Sequence, residues 1–185
     1  EKVNATVGTL SGGQKQRFTI AAALVNDPEV VFLDETTTGL DPQARRSLWE
    51  VIQQIHTEGR PVVLTTHYME EAQSLCQRVA IMDLGKIVAL DTPTNLIHSL
   101  PTPYQIKLVS SAPLPPEELG RLEGVKGVAV GSNDTYLLTS IDASRSLPTL
   151  LSWVQERDAN VKHIEVIPST LEDVFLALTG KQLRD

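Results

Sequence analysis

Apolar positions along this chain fall into two rhythms. Val30–Leu33 is a short run without polar interruption and Pro61–Thr66 is apolar through Leu64, the pattern of strands buried on both faces. Around them the spacing lengthens to the helical one. Gly12 to about Asn26 predicts a helix with Ile20, Leu24 and the alanines on one face, ended by Asp27-Pro28. Asp41-Pro42 opens a second helix with an acid at the N-cap and Pro at its first position; Leu48, Val51, Ile52 and Ile55 point inward until Gly59. A helix over 69–76 follows, and Val79–Met82 and Lys86–Leu90 flank Asp83-Leu84-Gly85 as a hairpin. Strand, helix, strand, helix in this order implies parallel pairing with right-handed crossovers, the layout of an α/β nucleotide-binding sheet.

Pro93, Pro101, Pro103, Pro113, Pro115 and Pro116 then change the texture of the chain, which places a boundary near residues 100 to 103. Beyond it the pattern predicts strand 104–110, helix 116–122, strands 125–130 and 135–140, helix 146–157, strand 161–167 and helix 171–178. The order βαββαβ plus a last helix is that of a ferredoxin-like split motif. Two domains are therefore expected: residues 1–100, part of an α/β sheet, and residues 101–185, a small α+β domain carrying no chemical constellation.

Composition narrows the classes. The 185 residues carry 16 basic against 23 acidic groups, shared evenly between the halves, so no basic face argues for nucleic acid. The apolar runs are strand-sized, far short of the roughly 18 residues of a membrane span, so any membrane role goes through a partner. Cys76 is the single cysteine, cannot form an internal disulfide, and reads as helix packing in a reducing compartment. The chain opens at Glu1 without a signal peptide, and the expectation is a piece of something longer.

Two segments exceed what packing requires. Ser11-Gly12-Gly13-Gln14 satisfies S-x-x-Q, a capping box. Capping does not explain two glycines, which weaken a helix by about 1 kcal/mol each yet leave first-turn amides bare to an anion. Asp34-Glu35 closes an apolar strand, setting two acids at the carboxyl edge of the sheet, where open α/β folds bind ligands. His67 ends the next strand in the same way, whereas His56, His98 and His163 read as surface or packing residues.

Leu10–Arg17, LSGGQKQR, resembles the signature motif of ATP-binding cassette (ABC) proteins in full. Asp34-Glu35 is similar to the family's Walker B pair, Thr36–Pro42 to its D-loop segment, and His67 before Tyr68–Ala72 to its switch histidine. Pro more often stands where Thr36 does; a Pro would hold Glu35 in extended backbone, so its absence loosens the acid. The resemblance covers residues 1 to about 92 and implies the C-terminal part of an ABC-type P-loop sheet. It also implies roles. Asp34 would hold Mg²⁺, Glu35 would polarise the attacking water, and His67 would contact the γ-phosphate and the water. Ser11, Gly12, Gly13 and Gln14 would face the ATP of the opposite subunit in a head-to-tail dimer, and Asp41 of the D-loop segment would join the nucleotide-binding residues, cap its helix, or do both. The tail LEDVFLALTG, with Thr170–Asp173 as a capping box, resembles the end of drug-export subunits, although amphipathic docking explains it fully.

What the resemblance implies is an ATPase subunit peripheral to the inner face of the cell membrane, working with transmembrane permease subunits to power export. A non-transport ABC-type ATPase of DNA repair or translation, and a regulatory or binding piece, are the alternatives. No GxxxxGK[ST] occurs; Gly8–Gly13 is followed by Gln14 instead of Lys and has no strand before it. Residues 1–185 alone are accordingly expected to hydrolyse no ATP, and to self-associate or lean on the second domain for solubility.

Overall fold

Asp41 and Pro42 act as the sequence predicts, and the helix they start lies between two parallel strands. The computed structural model describes residues 6–180. It divides into two compact units, Glu1–Gln77 and Arg78–Asp185. In the first, a turn of 3₁₀ helix at Val7–Thr9 precedes α1 (Gly12–Leu24), β1 (Val31–Asp34), α2 (Pro42–Thr57), β2 (Val62–Thr65) and α3 (Met69–Leu75). β1 and β2 pair in parallel from Val31 opposite Val62 to Asp34 opposite Thr65. Ile20, Val31, Leu33, Leu48, Ile52 and Ile55 form one buried cluster.

Burial on this sheet alternates, contrary to the expectation of fully buried strands. Val31 and Leu33 are buried, but Phe32 is 75% and Val63 47% exposed. The physical reason is that parallel strands bury both faces only when helices cover both, and here the buried cluster lies on one. In α1 only Ile20 is buried, and Ala21, Ala22 and Ala23 are exposed. Consecutive helical residues are about 100° apart, so three alanines in a row cannot share a face with Ile20.

The second unit begins with the expected hairpin, β3 (Val79–Asp83) and β4 (Lys86–Asp91), antiparallel. Its turn has φ of 47° at Leu84 and 73° at Gly85, the two left-handed residues of a type I′ turn. Then comes α4 (Pro93–His98), a helix the sequence reading leaves among loop prolines. The Thr92 hydroxyl accepts from the Asn95 N–H at 3.2 Å, so Thr92-Pro93 repeats the device of Asp41-Pro42.

β5 (Tyr104–Ser110), α5 (Pro116–Leu119), β6 (Val125–Val130), β7 (Thr135–Ser140), α6 (Ala143–Glu156), β8 (Val161–Pro168) and α7 (Leu171–Thr179) complete the chain. The four strands lie antiparallel in the order β6-β7-β5-β8. Ile106, Leu108, Leu119, Val125, Tyr136, Leu138, Leu150 and Trp153 make the core beneath them. α5 is a single turn rather than the predicted two, and α6 starts three residues before the predicted Ser146 because Asp142 caps it through the Ser144 N–H at 2.9 Å. α7 docks on α4, with Leu171, Val174 and Leu96 buried. The hairpin and α4 thus group with the residues after them, and the change of texture near 100–103 falls inside the second unit.

Candidate functional site

Thr65 organises the end of the parallel pair. Its hydroxyl donates to Asp34 Oδ1, while the Glu35 N–H points at Thr65, 3.1 Å from its carbonyl and 3.2 Å from its hydroxyl oxygen. Glu35 has φ of 45°, left-handed backbone instead of the extended backbone a following Pro would favour. From there the chain turns sharply. The Thr38 N–H donates to the Glu35 carbonyl at 3.2 Å, and the Thr38 hydroxyl to Glu35 Oε2 at 3.4 Å.

Two residues past β2, His67 Nδ1 lies 3.5 Å from Glu35 Oε1. The His67 ring sits 4.2 Å from that of Tyr68, and the Arg45 guanidinium lies over the Tyr68 ring at 5.0 Å from its centroid. The Tyr68 N–H donates to the Thr66 hydroxyl at 3.0 Å, tightening the exit from the strand. An acid, its neighbouring acid and an imidazole therefore gather at the carboxyl edge of β1 and β2. Glu35 and His67 side chains are 53% and 37% exposed, so a ligand or water reaches both.

Ser11 and Gln14 form the reciprocal capping box: the Ser11 N–H donates to Gln14 Oε1 at 3.1 Å and the Gln14 N–H to Ser11 Oγ at 3.4 Å. Gly13 also has a packing reason. A Cβ there would stand 3.0 Å from the Ala44 Cβ, so α1 and α2 approach more closely than a side chain allows without adjustment. A Cβ on Gly12 would meet only Leu40, at 3.9 Å. Asp41 caps α2, its Oδ1 accepting from the Gln43 and Ala44 N–H groups at 3.0 and 2.9 Å. The helix-capping roles of Ser11, Gln14 and Asp41 are thus realised, and the glycines open α1 beside the start of α2.

Sequence reasoning passed over Glu71. Its side chain is fully buried, and both oxygens are engaged: Trp49 Nε1 donates to Oε1 and Thr37 Oγ1 to Oε2, each at 3.0 Å. The signal was present in the sequence, since Glu71 shares the inward face of α3 with Ala72 and Leu75 instead of the outward face with Glu70. Burial and then the Glu71 charge push the Cys76 thiol up, away from a reactive thiolate. His56, His98 and His163 lie exposed on the surface. Among the described residues no three His, Cys, Asp or Glu side chains cluster as a metal cage, and no helix is long and apolar enough to cross a membrane.

Residues 1–38, which hold Ser11–Gln14 and Asp34-Glu35, match the family described as ABC transporter. The whole chain aligns with proteins named Nod factor export ATP-binding protein I. That of Paraburkholderia xenovorans is 40% identical over 185 residues, covering 100% of this chain and 58% of the relative. That of Rhizobium etli is 37% identical over 182 residues, 98% of this chain and 55% of the relative. The Rhizobium meliloti protein is 39% identical over 186 residues, 100% of this chain and 52% of the relative. The chain is similar to ATP-binding proteins of ABC transporters. It spans little more than half the length of these relatives. The resemblance read from LSGGQKQR and the acid pair holds, and the α/β fold fits part of an ABC-type P-loop NTPase.

Proposed function

We propose that this chain supplies the signature, acid pair and histidine of an ATP-hydrolysing subunit that powers export through separate transmembrane subunits. The carrying observation is the approach of His67 Nδ1 to Glu35 Oε1, 3.5 Å, at the carboxyl edge of the parallel pair. Glu35 is the base that polarises the attacking water, and His67 holds that water and the γ-phosphate. Asp34 is the magnesium residue. A hard cation of this size binds through one or two carboxylates with water and substrate phosphates, which suits the Asp34 carboxylate at the end of β1. The ion, when bound, neutralises charge developing on the phosphates.

Ser11, Gly12, Gly13 and Gln14 serve a second ATPase subunit, to whose nucleotide the Gly12 and Gly13 amides at the start of α1 are offered. Asp41 caps α2 and joins the nucleotide-binding residues. The antiparallel order β6-β7-β5-β8 with helices after β5 and β7 supports a ferredoxin-like accessory domain over residues 101–185, and the ATPase part is assigned to residues 1–100. Export, as the relatives' names state for those proteins, favours a transporter over an ATPase of DNA repair or translation.

A phosphate-cradling loop and its Lys are absent from residues 1–185, so turnover belongs to a longer polypeptide that includes one. Mg-ATP hydrolysis is measured for such a polypeptide and for residues 1–185. The longer protein turns over, Glu35→Gln lowers kcat by at least about 100-fold with ATP still bound, and the 185-residue chain gives no turnover. Undiminished hydrolysis by the Glu35→Gln form overturns the assignment.

A further inference from the structure

We infer that Glu71 is a positioning residue: it fixes the turn bearing Glu35 against the segment bearing His67, so that the two groups stay within reach of one substrate. The inference rests on the ATPase reading for its consequence, and on geometry alone for the clamp itself.

Thr37, two residues after Glu35, is 1% exposed, and its hydroxyl has a carboxylate oxygen 3.0 Å away on Glu71. Glu71 follows His67 by four residues at the start of α3, whose first turn it closes through its own N–H to the Tyr68 carbonyl at 3.1 Å. The second oxygen takes the Trp49 indole N–H from α2, the helix that follows the turn. One buried side chain therefore ties together three consecutive parts of the edge: the turn after β1, the helix after that turn, and the helix after β2. An indole N–H can only donate, and with Thr37 Oγ1 donating to Oε2 a group with two acceptor oxygens satisfies both partners. Glu71 and Thr37 are fully buried and Trp49 half-buried, so losing the Thr37 donor leaves Glu71 Oε2 unsatisfied and the turn released. Ordinary core packing needs no carboxylate here. Leu48 and Ile52 on the same helix pack without one.

The test has two arms. In the first, amide exchange of residues 1–185 is followed at Thr38 and Leu40, whose N–H groups bond the Glu35 and Thr37 carbonyls, with Ile52 inside α2 as an internal reference. Thr37→Val removes one donor while nearly keeping volume, and Trp49→Phe removes the other with a smaller ring; Glu71→Gln can still accept from Trp49 and donate to the Thr37 oxygen. Thr37→Val is expected to speed exchange at Thr38 and Leu40 about tenfold with Ile52 unchanged, and Glu71→Gln to stay within about threefold of the parent. In the second arm, the longer ATPase bearing Thr37→Val loses kcat about tenfold with KM for ATP within about twofold, and Glu71→Gln recovers most of the rate that Glu71→Ala loses. Exchange that is unchanged in Thr37→Val, or that rises equally at Ile52, overturns the clamp. Loss of kcat in step with the folded fraction, or matched by KM, overturns the positioning role. A longer parent protein without ATPase activity sinks the function proposed above, and the exchange arm then decides the clamp by itself.

Discussion

Thr36 is where this chain departs from the pattern it otherwise follows, and its hydroxyl oxygen is buried without a hydrogen-bond partner. An orphaned buried hydroxyl costs about 1 to 3 kcal/mol of desolvation. Thr36→Val keeps the shape and removes the polar atom, so urea melts should show stability higher by about 1 kcal/mol with an unchanged m value. A lower midpoint would mean that the hydroxyl is satisfied in solution. The same residue permits the left-handed Glu35 that starts the turn toward Thr38. At this scale the sequence was legible where chemistry breaks a pattern: two acids closing an apolar strand, a histidine closing the next. Glu71 escaped because a buried carboxylate on a short amphipathic helix reads, one residue at a time, like the solvated Glu70 beside it. Only the donors on Thr37 and Trp49, distant in sequence, give it a purpose.

Helix starts carry much of the local order, and they differ in what they imply about pH. Hydrogen bonds from the Ser144 hydroxyl and then the Ser144 N–H hold the exposed Asp142 carboxyl below its usual range, at the cap of α6. A depressed folded value means that the cap's contribution is present above the unfolded value, about 3.9, and lost as pH falls through the folded one. Asn caps almost as well but does not titrate. The difference in Tm between the parent chain and Asp142→Asn should therefore change in favour of Asn as pH drops below about 4; a constant difference would remove Asp142 from the acid response. Element boundaries were legible where a cap stood next to an apolar stripe, as at Asp41-Pro42. Thr92-Pro93 offered the same cap, but the six residues of α4 are too few for a period to show, and nearby prolines mask the start. The glycines of α1 point to a like lesson, because the contact of Gly13 with Ala44 belongs to helix packing that no local pattern discloses.

Whole-molecule behaviour turns on the exposed face of the parallel pair. Phe32 at 75% exposure and Val63 at 47% lie side by side in register on adjacent strands, an apolar surface on a sheet that has two strands among the described residues. The alternation was not legible in the sequence because Val30–Leu33 and Pro61–Thr66 carry apolar residues on both faces, a pattern written for a sheet covered on both. What the strands are built for and what covers them in residues 6–180 thus differ, and the difference has a colloidal consequence. Residues 1–185 should associate with a second copy through this face as concentration rises. Sedimentation velocity across a concentration series measures it. Phe32→Glu places a charge on the exposed face and should shift the distribution toward monomer. Its melting should stay within about 1 kcal/mol of the parent, since an exposed side chain contributes little to the folded state. A parent chain that stays monomeric throughout, or a Phe32→Glu form that associates equally, would place the sticky surface elsewhere. The exposed side chains of the hairpin, Met82, Leu84 and Ile87, are then the next surface to charge.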